Sequence, residues 1–121
     1  MTDSLEVVLR FRDGKTQRGK LLSADTDREI FSIEEDGGKS TDVPFSVLKA
    51  VFFPQRGPDD SIEPAVGSQL SVEFADGEVI RGVAHYNPER NGFYLFPLDR
   101  SKNDRIFVVN SAILSIEVEK L

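Results

Sequence analysis

The sequence predicts an all-β fold in which one five-stranded small barrel occurs twice in tandem. The first observation is a repeated pattern of an alternating apolar strand, an Asp-Gly pair and, four residues later, an Arg-Gly pair. The pattern covers residues 5–19 and recurs over residues 70–82. A pattern that recurs after about half of a chain indicates two copies of one supersecondary unit. The second observation is that no segment keeps a helical period of apolar residues over two turns.

Each copy opens with a strand in which apolar and polar side chains alternate. The alternating apolar residues are Val7, Leu9 and Phe11 in the first copy and Leu70, Val72 and Phe74 in the second. A period of two is typical of a strand with one buried face. Asp13-Gly14 and Asp76-Gly77 follow, and each pair predicts a tight turn because glycine accepts positive φ and aspartate tolerates it.

Four further strands are predicted in each copy. The second strands, residues 16–24 and 78–86, contain Gly19 and Gly82, and an interior glycine usually marks a bulge or a bend. The third strands are predicted over residues 29–34 and 93–98, the fourth over 40–45 and 105–109, and the fifth over 49–53 and 114–118. A single helical turn is predicted just before each fifth strand.

These elements define two domains and a linker. We expect a first barrel over residues 4–53, a proline-rich charged linker over 54–66 and a second barrel over 67–120. Each copy is close to the lower size limit for a core that folds alone. We therefore expect the two copies to pack on each other or on another chain.

The order of elements resembles the Sm-like superfamily of small barrels. The residues that match its first motif are Val7, Leu9, Phe11, Asp13, Gly14, Gly19 and Leu21, and in the second copy Leu70, Val72, Phe74, Asp76, Gly77, Gly82 and Val83. Bent SH3-like barrels of other families share this pattern. Residues 48–53 and 92–97 are also similar to an uncharacterised bacterial domain that is often attached to signalling modules.

The chain departs from the Sm-like pattern where that superfamily binds RNA. RNA-binding members carry an Asn in the loop after the bent strand and an Arg-Gly or Lys-Gly near the junction of the fourth and fifth strands. The second copy has Asn91 in that loop but Asn110-Ser111 at the junction, and the first copy has neither feature. The resemblance therefore implies the fold, whereas these departures argue against the RNA pocket.

The composition excludes several classes of function. The net charge of -6 and a pI near 4.8, without any basic run, argue against nucleic acid as a partner, because phosphate contacts dominate such binding. The chain has no cysteine and its one histidine, His85, cannot form a histidine metal cluster. No metal ligand, cofactor site or catalytic residue is predicted, and we expect a protein that is not an enzyme.

The cellular location is predicted from two patterns that the sequence does not show, a membrane span and a secretory signal. No apolar run approaches the roughly 20 residues that a membrane span requires. The first residues have neither a basic region nor an apolar region of the kind that secretory signals contain. We expect a cytoplasmic protein.

Adjacent aromatic residues supply the predicted partner-binding surface, which comprises Phe52, Phe53, Phe93, Tyr94 and Phe96. Neighbouring side chains of a strand point to opposite faces, so one face of each run must contact something outside its own barrel. That contact is either the other barrel, which we favour, or a partner protein. The favoured function is a non-catalytic protein-interaction or scaffolding module, in bacterial signalling or assembly, that displays open strand edges and exposed aromatics.

Two other functions remain open at this point. One is a divergent Sm-like RNA-binding protein that forms a ring of three chains, with Arg18, Arg81 and Asn91 as the binding residues. The other is a small anionic ligand such as a nucleotide, held between the barrels by the two arginines. The plainer interpretation of each arginine is an exposed ion pair with a nearby carboxylate such as Asp76 or Glu78. The sequence allows a homo-oligomer and does not name the partner.

Overall fold

The all-β prediction is confirmed by a computed structural model, which describes residues 6–54, 67–98 and 103–119. The strands are β1 (Glu6–Phe11), β2 (Thr16–Asp25), β3 (Ile30–Glu34), β4 (Ser40–Pro44), β5 (Leu48–Pro54), β6 (Ser68–Phe74), β7 (Val79–Ala84), β8 (Gly92–Pro97), β9 (Asn103–Val109) and β10 (Ile113–Val118). Single 3₁₀ turns, Phe45–Val47 and Asn110–Ala112, precede β5 and β10. The predicted linker lies outside the described residues except for Pro54.

All ten strands belong to one open antiparallel sheet. Their order across the sheet is β10-β6-β7-β8-β9-β5-β1-β2-β3-β4. We call β1–β5 the first half, β6–β10 the second half, and the pairing of β5 with β9 the junction. Among the described strands, β4 and β10 lie at the two edges of the sheet.

The same strand order and the same irregularity occur in both halves. In the first half Leu9 lies opposite Val51, and the register of β1 with β5 shifts between Arg10 and Phe11. In the second half Val72 lies opposite Ile116, and the register of β6 with β10 shifts where Phe74 meets Ile113. The fifth strand of each half therefore joins the first strand through a similar bulge.

A single apolar core runs through both halves. Its largest fully buried side chains are Phe31, Phe45, Phe74, Phe107, Leu9, Ile33, Leu48, Leu70 and Leu95. Phe107 of the second half enters the core of the first, with ring centroids 5.2 Å from Phe31 and 5.5 Å from Phe45. The two halves consequently share buried surface as well as backbone hydrogen bonds.

The Asp-Gly turns form as predicted. Gly14 and Gly77 have φ values of 93° and 92°, and the preceding aspartates each accept a hydrogen bond from the backbone two residues on. A bulge or a bend was expected at the two interior glycines, Gly19 and Gly82. The β2–β3 register shifts between Leu21 and Ser23 rather than at Gly19. At Gly82 a Cβ atom would lie 2.3 Å from the carbonyl oxygen of Phe96, so close approach of β8 requires glycine there.

Candidate functional site

The junction covers β5 from both sides. Every residue from Leu48 to Phe53 is buried, and β5 pairs with β1 on one edge and with β9 on the other. In the register of the junction, Val51 lies opposite Phe107 and Phe53 opposite Arg105. The aromatic ring of Phe53 packs edge-on against Tyr94, with centroids 5.8 Å apart. The second half therefore fills the space beside β5.

A charged cluster reinforces the junction at one end of β5. Lys49, 6% exposed, donates to Asp76 at 2.7 Å and also to Glu78, and both acceptors belong to the β6–β7 turn. Arg10 of β1 donates to Glu78 at 2.9 Å. Among the described residues, Lys49 is the one charged side chain that is buried. Two cations of the first half are thus balanced by two carboxylates of the second.

The pKa values in this cluster follow from its geometry. Burial opposes the charge on Lys49, but the hydrogen bonds to Asp76 and Glu78 outweigh it and raise the pKa of Lys49 above 10.5. The hydrogen bond from Lys49 lowers the pKa of Asp76 below 3.8. Burial opposes the charge on Glu78 too, yet Lys49 and Arg10 lower its pKa below 4.5. All four groups are charged near neutral pH, where the cluster holds the halves together.

Two polar contacts add to the junction. Arg12 donates to the carbonyl oxygen of Phe45 at 3.1 Å and to the hydroxyl of Ser111 at 2.5 Å, which connects the two 3₁₀ turns. The side-chain amide of Asn91 donates to the carbonyl oxygen of Thr26 at 2.8 Å. These contacts join loops from opposite halves, and local sequence patterns gave no sign of them.

The predicted partner-binding aromatics divide into two groups. Phe52 and Phe53 are buried inside the chain, Phe52 under the guanidinium of Arg10 and Phe53 against Tyr94. Phe53 therefore contacts the other half of the same chain, whereas Phe52 lies against Arg10 of its own half. Phe93 is also buried, with its ring 5.4 Å from that of Tyr86. Of the five aromatics, Tyr94 remains 40% exposed and Phe96 is half-buried.

The accessible aromatic surface lies in a groove beside the junction, with a volume of about 740 Å³. Its lining comprises Thr26, His85, Tyr86, Asn87, Arg90, Gly92, Phe93, Tyr94, Phe96 and Phe107. Thr26 is the contribution of the first half. Burial raises the pKa of the Tyr94 phenol, which stays neutral and able to donate a hydrogen bond near neutral pH. The groove brings Tyr94 and Phe96 together but leaves Phe52 and Phe53 outside it.

The structure does not bring together the three residues considered for RNA or anion binding. Arg18 on β2 and Arg81 on β7 are separated by four strands of the sheet, β8, β9, β5 and β1. Arg81 pairs with Glu119, whose pKa the hydrogen bond from Arg81 lowers, and not with Asp76 or Glu78 as the sequence suggested. Arg18 is exposed, and Asn91 is engaged with Thr26.

The β10 edge carries the apolar surface that the sequence did not single out. Leu114, at the register shift of β10, is 64% exposed, and Val118 in the paired part of the strand is 55% exposed. Its counterpart β5 has the same position in its own half and is buried from Leu48 to Phe53. The two strands also differ in pairing, because β9 pairs with the second edge of β5, whereas no described strand pairs with that edge of β10. A strand with apolar side chains and unpaired backbone groups is a ready template for strand addition.

Nothing in the described parts of the chain points to a metal centre. No group of three or more His, Cys, Asp or Glu side chains is placed to hold an ion within residues 6–54, 67–98 and 103–119. The same ranges contain no helix with the length and apolar character to cross a membrane.

Comparison with known proteins identifies a family. The model of the DUF6982 family, a family of unknown function, matches residues 3–120. The chain belongs to the DUF6982 family. The match spans both halves of the sheet, so the whole ten-stranded unit corresponds to the family's domain. No curated protein and no solved structure matches this DUF6982 member.

Proposed function

We propose that this DUF6982 protein is a non-catalytic protein-interaction module that binds a partner strand at the β10 edge. In this proposal the chain is a tandem duplication of a five-stranded small barrel of the Sm-like or SH3-like kind. The equal strand order of the two halves, and the bulge that each has between its first and fifth strands, support the duplication. The cytoplasmic location expected from the sequence stays a prediction.

The contrast between β5 and β10 carries the proposal. β5 has a paired strand on each edge and is buried at every position from Leu48 to Phe53, whereas β10 pairs on one edge alone and exposes Leu114 and Val118. Exposed apolar side chains on an edge strand invite association, and natural proteins usually protect such edges with charge, proline or a covering loop. On β10 one exposed charge, Glu117, lies next to the exposed Val118. A partner strand would pair with the backbone and cover both side chains.

The aromatic groove provides a second contact region in the same half. Tyr86 and Tyr94 are each 40% exposed there, and tyrosine is enriched in protein interfaces because its ring buries well while its hydroxyl donates or accepts. The RNA and anion alternatives have no comparable support, because Arg18, Arg81 and Asn91 lie apart. The net charge of -6 also weakens attraction to phosphate.

Site-specific photo-crosslinking in the native cell tests the proposal. A photoreactive residue is placed at Leu114 on the edge, and in a control variant at Val79 on β7, which is 53% exposed but lies inside the sheet. We expect protein adducts from position 114 that are absent from position 79. Equal adducts at both positions, or none at position 114, would reject β10 as the interaction surface.

A further inference from the structure

We propose that the aromatic groove of the second half binds a short acidic segment of a partner protein, in which an aromatic side chain lies next to a carboxylate. The groove is the space of about 740 Å³ described above, beside the junction. The inference goes beyond the proposed function, because it adds a second binding site and does not depend on strand addition at β10.

Aromatic side chains supply the apolar part of the groove. Tyr86 and Tyr94 are each 40% exposed, and each packs edge-on against a buried phenylalanine that also lines the groove. The ring of Tyr86 lies 5.4 Å from that of Phe93, and the ring of Tyr94 lies 5.1 Å from that of Phe107. An aromatic side chain of a partner would therefore meet rings whose positions are already fixed by the core.

Arg90 supplies a cation that is free to meet a carboxylate. Among the described residues, no Asp or Glu side chain forms an ion pair with Arg90. The nearby Arg105 is already engaged, because it pairs with Asp104 at 2.8 Å and lies 5.9 Å from the ring centroids of Tyr94 and Phe96. A guanidinium beside aromatic rings is suited to a carboxylate, which it can bind through two parallel hydrogen bonds.

The charge of the groove is opposite to that of the whole chain. Its described lining contains Arg90 and His85 but no Asp or Glu, whereas the chain has a net charge of -6. Asp27 and Glu89 are exposed in the adjoining loops but do not line the groove. Charges more than about 8 Å away are largely screened at physiological salt, so direct contact with Arg90 outweighs repulsion from the rest of the chain.

The loop that carries Arg90 is held in place by Asn110. The side-chain amide of Asn110 donates to the carbonyl oxygens of Asn87 at 3.1 Å and of Arg90 at 2.6 Å. The backbone N–H of Asn110 donates to the carbonyl oxygen of Asn91 at 2.9 Å, and Asn91 is itself held by Thr26. A loop that is already ordered loses little conformational freedom on binding, so the site is built before the ligand arrives.

The open shape of the groove favours a protein segment over a small molecule. Small-molecule sites usually enclose roughly 70–90% of the surface of their ligand. Here most of the lining is open to solvent, and the exposed lining residues are Thr26, His85, Tyr86, Asn87, Arg90 and Tyr94. A peptide segment needs no such enclosure, because it gains affinity from several contacts along its length.

Nuclear magnetic resonance titration with a defined peptide tests the inference. The probe is an acetylated, amidated peptide in which one phenylalanine is flanked by two glutamates, added to the nitrogen-15-labelled chain at about 0.15 M salt. We expect shifts of backbone amides in residues 85–96 and none in Ser40–Pro44. Exchanging both glutamates for glutamine should raise the dissociation constant at least about fivefold, because the charge-assisted hydrogen bonds are lost. A peptide with lysines in their place should not bind.

Two arginine variants show whether Arg90 is the source of this preference. Arg90→Gln should bind the glutamate and glutamine peptides equally, because the guanidinium that distinguishes them is gone. The matched control is Arg18→Gln, which removes the same charge from an exposed position of β2 outside the groove and should keep the preference. Both positions are exposed, so neither substitution disturbs the core.

The inference is overturned if the wild type binds the glutamate peptide no better than the glutamine peptide, or binds the lysine peptide more tightly. An absence of shifts at millimolar peptide would overturn it too. So would an Arg90→Gln variant that keeps the preference, or an Arg18→Gln variant that loses it.

The groove and the β10 edge fail separately. If the peptide binds as expected while a photoreactive residue at position 114 gives no protein adduct, the edge is rejected and the groove stands. If position 114 gives adducts while the peptide shows no preference for glutamate, the proposed function stands and this inference is rejected.

Discussion

At the scale of single residues, Lys49 is the side chain that most affects how the two halves stay together. It is the lone cation in an apolar strand, and its two acceptors come from a turn nearly 30 residues away, at Asp76 and Glu78. The side chains of these carboxylates are 42% and 36% exposed, so water screens part of each interaction. The cluster is therefore intermediate between a surface ion pair and a buried one.

Replacing Lys49 by methionine should lower the free energy of unfolding by roughly 1–2 kcal/mol at neutral pH, because two carboxylates lose their common donor. Methionine keeps most of the apolar stem but loses the ammonium that lies 4.8 Å from the ring centroid of Phe74. Urea unfolding followed by circular dichroism measures the loss. Lys20→Met, at an exposed position of β2, is the matched control and should change stability little.

The effect of Lys49→Met should also depend on pH in a defined direction. Asp76 and Glu78 have pKa values below 3.8 and 4.5, so their contribution is present above those values and is lost as pH falls through the lowered ones. The pKa of Lys49 lies above 10.5, so its contribution is present below 10.5 and is lost as pH rises beyond the raised value. The stability difference between wild type and variant should stay constant between about pH 5 and 9 and shrink in stronger acid. A difference that is unchanged at pH 3 would contradict this account.

Glycine is required at position 82 because β7 and β8 approach each other closely there. Gly82→Ala should destabilise the chain by about 2–4 kcal/mol, because the new methyl group would meet backbone of β8 at 2.3 Å. Gly19→Ala should cost less, since its closest contact, at 2.9 Å, is the movable end of the Ile33 side chain. Thermal unfolding of the two variants should preserve this order. Equal losses of thermal stability in the two variants would mean that β7 and β8 can separate as easily as β2 and β3.

At the scale of elements, the junction depends on an aromatic residue that one half inserts into the other. Phe107 contacts both Phe31 and Phe45, and its ring also lies 5.1 Å from that of Tyr94. Phe107→Ala should cost about 3–5 kcal/mol and loosen the pairing of β5 with β9. Leu70→Ala is the control, because Leu70 is equally buried but lies on β6. Amide exchange in β5 should accelerate more in the first variant, and equal acceleration would contradict this role for Phe107.

The strands and turns could be predicted from the sequence because each depends on local pattern. Alternation in residues 7–11 and 70–74 and the two Asp-Gly pairs are enough to place β1, β6 and their turns. The order of the two halves across the sheet depends on contacts between residues far apart in the chain. Adjacent Phe52 and Phe53 predicted that one face of this run contacts something outside its own barrel, but periodicity cannot say what supplies that contact.

The candidate site was less predictable than the fold. Leu114 and Val118 have the alternation of an ordinary half-buried strand, and only their comparison with buried β5 shows that a neighbour is missing. Lys49 could have been recognised as the single charge within Leu48–Phe53, which indicates a specific acceptor elsewhere. The pairing of Arg81 with Glu119 depends on β10 lying beside β6, which local patterns do not specify.

At the scale of the whole molecule, the ten strands should unfold together. The core continues across the junction, and the charged cluster, the Arg12–Ser111 contact and the Asn91–Thr26 contact all join the two halves. Differential scanning calorimetry should therefore show one transition whose calorimetric and van't Hoff enthalpies agree. Two separate transitions would mean that each half is an independent domain.

The open sheet also determines how the molecule meets others. Its interior pairings are complete, so association is directed to the edges β4 and β10. The first edge carries Asp42 and Pro44, and the second carries Leu114 and Val118. In the proposed function a partner strand covers the exposed apolar side chains of β10.

The most direct test of the open β10 edge is backbone amide exchange in the two fifth strands of the isolated chain. We predict that exchange in Ile113–Val118 is faster than exchange in Leu48–Pro54, because β10 pairs with a strand on one edge and β5 pairs with strands on both edges. Equal exchange rates in the two strands would contradict an open edge at β10.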